Sequence, residues 1–196
     1  MTNFDAATIG EKRPVLYLDW DGVVNFFGSR NQYIKKSGFG YLRRGSAVPR
    51  PADRPAGSLS FGPFSLNWSA ELLRKLAALP VDIVFLSTWR HSFSELLKAT
   101  NWELDSYRVL DWADGPKGSE HAGKVPALVA DQLADPRPFI WADDEAHSFY
   151  GDDDRAKLSG IPQLLLAPNE DFGLVMADYE AMLDFLSDLP STTAGA

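Results

Sequence analysis

Pro14-Val15-Leu16-Tyr17-Leu18-Asp19-Trp20-Asp21-Gly22-Val23 is the stretch that decides how this chain is read. A short apolar run that stops at a carboxylate is the pattern of a strand buried on both faces, as in a parallel sheet. Working outward, the same pattern returns at Val81 to Leu86, which ends in Ser87-Thr88, and at Phe139 to Ala142, which ends in Asp143-Asp144. Tyr107 to Leu110 and Gln163 to Leu166 read as two further strands.

Helical stretches lie between these runs. Asn67 or Ser69 caps one whose apolar stripe is Leu72, Leu73, Leu76 and Leu79. Ser92 and Glu95 form a capping-box pair that opens a second through Lys98. Lys124 to Leu133 is a third, with Pro126 tolerated in its first turn. The last carries Val175, Tyr179, Met182, Leu183 and Leu186. Asn169-Glu170-Asp171 reads as helping to start that helix, and Asp152-Asp153-Asp154 as a solvated acidic turn. Strands alternating with helices imply a Rossmann-like α/β fold, a parallel sheet flanked by helices. Ligands bind such sheets outside the carboxyl ends of the strands.

The interval from Phe26 to Phe64 has no sustained period. Gln32 to Leu42 alternates weakly, as a hairpin would, and Gly45 to Pro63 is rich in proline and glycine, which reads as loop. This interval is also where the positive charge lies. Between Arg30 and Arg54 stand seven basic residues against Asp53 alone, a net of +6, in a chain whose formal net charge is −8. Overall acidity argues against a general nucleic-acid binder; the local excess argues for an anion at one place.

The chain has 196 residues, 45% hydrophobic and 23% charged, enough for one domain with a sizeable core from about 14 to 189 and a frayed tail from 190 to 196. There is no cysteine, which excludes disulfides, thiolate metal sites and a cysteine nucleophile. The polar stretch from Met1 to Arg13 has no signal-peptide character, and no apolar run approaches a membrane span. The expectation is a cytoplasmic protein with no membrane association and no obligate protein partner.

Neighbouring strand ends would bring Asp19, Asp21, Ser87, Thr88, Asp143 and Asp144 to one crevice, with Lys124 opening the helix before the last pair. Carboxylates that close repel one another and raise their pKa values. A divalent cation resolves this, and oxygen ligands favour magnesium.

In these motifs and their order the chain resembles the haloacid dehalogenase-like (HAD) superfamily, in its phosphatase branch, from about Pro14 to Leu186. Leu86-Ser87-Thr88-Trp89-Arg90, with the early acidic motif, also resembles the small domains of that superfamily grouped with RNA-repair proteins. The resemblance implies that Asp19 attacks phosphorus and that Asp21 protonates the leaving oxygen, then deprotonates water. It implies a magnesium ion on the Asp19 carboxylate, the Asp21 carbonyl and Asp143, with Asp144 behind them. Ser87 or Thr88 would hold the phosphoryl oxygens, and Lys124 would neutralise them, Lys117 being its rival. Gly22 would leave room for the phosphate in a tight turn. An acid two residues after the nucleophile points to phosphoester rather than carbon–halogen chemistry.

The resemblance also makes the segment from about 28 to 64 a flap over the site, with no separate cap domain. Lys35, Lys36, Arg43 and Arg44, interleaved with Tyr33, Phe39 and Tyr41, would receive a nucleotide or nucleic-acid end. The segment also reads as a solubilising loop. Trp20, Trp89 and Trp141 each lie within two residues of a motif residue; they read as core packing or as platforms that stack a base. His91, His121 and His147 share no ligand spacing. The resulting expectation is a magnesium-dependent phosphomonoesterase working through an aspartyl-phosphate. The alternatives are a phosphatase of a small phosphometabolite or phosphoprotein, and a binding module that keeps the fold without catalysis.

Overall fold

The computed structural model describes residues 9, 12–48, 63–113, 123–145, 148 and 150–190. In chain order the elements are β1 (Val15–Leu18), α1 (Arg30–Ser37), β2 (Leu42–Ala47), β3 (Phe64–Ser69), α2 (Ala70–Ala77), β4 (Asp82–Phe85), α3 (Phe93–Thr100), β5 (Arg108–Val109), α4 (Lys124–Ala134), β6 (Phe139–Ala142), α5 (Asp152–Lys157), β7 (Gln163–Leu166) and α6 (Met176–Asp188). The five expected strands form one parallel sheet in the order β5-β4-β1-β6-β7. β1 is central, with Val15 opposite Asp82 on one side and Phe139 on the other. From β1 the chain builds outward through β4 to β5, then crosses back to β6 and β7. The strand order therefore reverses beside β1, and the crevice for a ligand opens at its carboxyl end.

Both faces of the sheet are covered, which explains why its strands are apolar throughout instead of alternating. Leu16, Leu18, Ile83, Phe85, Ile140 and Ala142 face one apolar cluster, closed by Leu72 and Leu76 of α2, Phe93 and Leu96 of α3, and Met182 of α6. Val15, Tyr17, Val84, Phe139 and Trp141 face the other, closed by Val125, Leu128 and Val129 of α4. Parity along β1 and β6 thus sends residues 15, 17, 139 and 141 toward α4. One more step of two residues along each strand reaches Asp19 and Asp143.

Several expectations are corrected. Gln32 to Ser37 belongs to helix α1, not to a hairpin; the antiparallel partners are β2 and β3, paired from Leu42 with Ser69 to Ala47 with Phe64. Gly45 to Ala47 is strand. α1 was hard to read because only Tyr33 and Ser37 are buried, so it has no apolar stripe. Its ends are nonetheless written in sequence. Ser29 accepts from the Gln32 N–H while the Gln32 side chain accepts from the Ser29 N–H, and Gly38 closes the helix at φ +74°.

Ser69, not Asn67, caps α2. Ser92 makes no capping bond: Arg90–Ser92 is already a 3-10 turn, so Ser92 has helical angles, φ −72° and ψ −3°. Asp152, Asp153 and Asp154 form the first turn of α5, where the helix dipole favours acids. Asn169-Glu170-Asp171 does not start α6, which begins at Met176 with Asp178 accepting from the Val175 N–H. Instead, the Glu170 and Asp171 carbonyls accept from the N–H groups of Phe27 and Gly28, pinning the start of the flap. Leu183 is 42% exposed and leaves the α6 stripe. Residues 49–62, Lys117, His121, His147 and the 191–196 tail lie outside the described residues.

Candidate active site

Lys124 is the first residue of α4, and it is 1% exposed. It donates to Asp19 Oδ2 and, at 2.8 Å, to Asp143 Oδ2. Strand parity and the helix start account for this meeting: both aspartates point to the face that α4 covers. Burial alone would work against the lysine's charge, but Asp19 and Asp143 hold it protonated well above its ordinary value. The carboxylates of Asp19, Asp143 and Asp144 each offer an oxygen within 4.8 Å of the others. One ammonium offsets one of these three charges. Burial, with Asp19 adding repulsion, pushes Asp143 up to about 6 and Asp144 to about 7.

This donor set fits a hard divalent cation: several carboxylate oxygens, no nitrogen or sulfur, and excess negative charge held out of water. The Asp144 carboxylate belongs to the same group of oxygens as those of Asp19 and Asp143. Gly22 has φ +72°, and a Cβ there would meet Asp144 Oδ2 at 2.3 Å. The glycine therefore makes room for Asp144 in this structure, besides allowing the turn.

Asp21 is turned the other way. Its Oδ1 accepts from Asn25 Nδ2 at 2.6 Å and its Oδ2 from Trp89 Nε1 at 2.8 Å. Burial raises its pKa, while both donors oppose that rise. Ser87 follows β4, fully buried, with its Oγ 3.4 Å from the Trp89 N–H; Thr88 is half-buried. The arrangement sets the Asp19 carboxylate beside a buried ammonium, with the Asp21 carboxylate held apart by two donors of its own.

The tryptophans are core residues, which removes the stacking-platform reading for Trp20 and Trp141. Trp20 is fully buried against Phe93 and Trp102, and Trp141 against Tyr150. Trp89 is 4% exposed, packs edge-on to Phe64 of β3 at 5.5 Å, and acts through its N–H instead. His91 faces Asp111 at 3.4 Å. Lys35 and Lys36 are exposed at the end of α1, while Arg43 and Arg44 are exposed on β2.

Two residues that sequence reasoning passed over matter here. Asn25 bridges Asp21 to the flap, since its Oδ1 accepts from the Asn67 N–H at 2.7 Å. Asn67 Oδ1 in turn accepts from Arg44 Nε at 3.1 Å. Neither asparagine belongs to a recognisable motif; only the spacing of Asn25 four residues after Asp21 hinted at a local contact.

A parallel sheet with an Asp-x-Asp strand end, a buried lysine and a second acidic pair at its switch point defines a HAD-like domain. Residues 15–178 match the family described as the HAD domain in Swiss Army Knife RNA repair proteins, and the chain belongs to that family. Membership supports a HAD-type hydrolase in general. No curated protein and no solved structure matches the chain. Among the described residues no helix is long and apolar enough to cross a membrane.

Proposed function

We propose that this protein is a magnesium-dependent phosphomonoesterase that acts through an aspartyl-phosphate on Asp19, on the phosphate at a nucleotide or nucleic-acid end. The observation that carries the reading is the buried Lys124 ammonium between Asp19 and Asp143, with Asp144 beside them. Asp19, Asp143 and Asp144, with the Asp21 carbonyl, would hold the cation, which supplies charge neutralisation for the phosphoryl oxygens when bound.

The remaining chemistry belongs to the chain. An Asp19 oxygen attacks phosphorus, and the bond from phosphorus to the leaving oxygen breaks. Asp21 gives that oxygen its proton, so the alcohol departs neutral. Water then attacks the phosphorus of the acyl phosphate, Asp21 takes the water's proton, and the Asp19 carboxylate is released with orthophosphate. Lys124 keeps Asp19 ionised and balances charge throughout. Asn25 and Trp89 hold the Asp21 carboxylate in place between the two proton transfers. Ser87 or Thr88 orients the phosphoryl oxygens.

The family description, RNA repair, together with the excess of cations in the flap, supports the nucleic-acid end as substrate. The test is turnover of para-nitrophenyl phosphate, nucleotides and end-phosphorylated oligonucleotides with and without magnesium. The reading requires metal-dependent release of orthophosphate, with oligonucleotide ends preferred over sugar phosphates. Turnover indifferent to chelation would sink it.

A further inference from the structure

Beside the flap lies a cavity of about 270 Å³ lined by Phe26, Arg30, Leu42, Arg43, Arg44 and Asn67. Three arginines and no acidic residue line it, in a chain of net charge −8. Elsewhere, Lys12, Arg13, Arg90, Lys98, Arg108, Lys124, Arg137 and Lys157 stand within ion-pair distance of carboxylates, and Arg74, Lys75 and Arg155 lie over aromatic rings. Arg30, Arg43 and Arg44 have no carboxylate partner among the described residues. Guanidinium groups left unpaired around one hollow are suited to forked hydrogen bonding of phosphate oxygens.

The cavity is also wired to the active site. Its wall residue Asn67 receives Arg44 and is itself separated from Asp21 only by Asn25. Phe26, also in the lining, stacks on Tyr33 with ring centroids 3.9 Å apart.

We infer that this cavity is a second phosphate subsite, taking the phosphodiester next to the terminal phosphate of a nucleic-acid strand. The inference rests on the proposed phosphatase reading and narrows it. The substrate is an end carried on a strand, and a mononucleotide leaves the subsite empty. Arg30, absent from any motif, joins Arg43 and Arg44 as a specificity residue, whereas Lys35 and Lys36 do not line the cavity.

The test has a binding arm and a turnover arm. In the first, a fluorescent dinucleotide with a terminal phosphate, at either its 3′ or its 5′ end, is titrated into Asp19→Asn protein carrying wild-type arginines. It is then titrated into the same protein with Arg30→Ser, Arg43→Ser and Arg44→Ser, or with the charge-matched control Lys12→Ser, Lys98→Ser and Lys157→Ser. Loss of the arginines should weaken binding by at least about tenfold, and loss of the lysines by no more than about twofold. In the second arm, wild-type kcat/KM should favour the dinucleotide over the mononucleotide through KM, and the arginine variant should lose that preference. Equal binding by the two triple variants, or equal KM for both substrates, overturns the subsite. Arginine-dependent binding without turnover of any phosphate ester overturns the phosphatase reading and leaves the subsite standing.

Discussion

At the residue scale, the two oxygens of Asp21 are the most informative atoms in the site. One is held by Asn25 and the other by the Trp89 indole, so the carboxylate is aimed by donors from two different loops. Asp21→Asn should cost roughly 10²–10⁴ in rate on an alkyl phosphate and far less on para-nitrophenyl phosphate, whose leaving group needs no proton. Trp89→Phe keeps the ring against Phe64 but removes the donor. It should reproduce the same leaving-group dependence at smaller size, with KM unchanged. Measuring both esters on both variants checks this; a uniform loss across leaving groups would mean that the indole only packs. Asp19→Asn should lower kcat by at least ~10³, about 4 kcal/mol of transition-state stabilisation. Gly22→Ala combines φ +72° with a Cβ driven into Asp144, and should cost on the order of 2–4 kcal/mol of stability. Chemical denaturation reads that loss, and Asp144→Ala in the same chain should recover part of it.

At the scale of elements, what could be read from sequence was what is buried on both sides. β1, β4 and β6 are short apolar runs that end in the site's polar residues, so strands and motifs were found together. The flap was misread because its elements face water. α1 has no stripe, and β2 is Leu-Arg-Arg-Gly-Ser-Ala, whose register comes from pairing with β3 and not from alternation. The roles of Asn25 and Asn67 were invisible for a related reason: they depend on contacts between residues 42 positions apart. The tryptophans show that nearness to a motif in sequence does not separate a platform from core packing: strand parity puts Trp141 in the core, the first of the two readings the sequence allowed. The start of α4 is a good place to disturb an element without touching its functional side chain. A Cβ on Gly123 would meet Trp112 Cδ1 at 1.9 Å. Gly123→Ala should therefore displace Trp112 or the helix start, lowering stability by about 1–3 kcal/mol and reducing turnover by misplacing Lys124. Denaturant titration and kcat measured on one preparation would show both effects; a change in neither would mean that the contact yields freely.

At the scale of the whole molecule, the acidic site sets a pH dependence of stability. Asp143 and Asp144 have folded values near 6 and 7, above the ordinary 3.8, so the fold binds their protons more tightly than the unfolded chain does. Their contribution is complete below about pH 4 and is lost as pH rises through 6 and 7. On the proposed reading these carboxylates hold magnesium in their deprotonated form, so the ion should raise Tm strongly near pH 8 and little near pH 5, against a chelated control. Equal shifts at both pH values would exclude these carboxylates as the ligands. Charge acts over longer range in two opposed ways: the cations of the flap should make capture of strand ends weaken with salt, while the net charge of −8 should disfavour long duplexes beyond the flap. The central claim, a phosphoryl group carried on Asp19, is tested most directly by trapping it. Asp21→Asn retains the nucleophile but lacks the base that activates water, so para-nitrophenyl phosphate should load it faster than it empties. Acid quenching during turnover with magnesium, followed by peptide mass spectrometry, should find one phosphoryl group on Asp19 and none in Asp19→Asn or without metal. Phosphoryl transfer to any other residue, or steady release of orthophosphate by Asp19→Asn at the wild-type rate, would contradict the account.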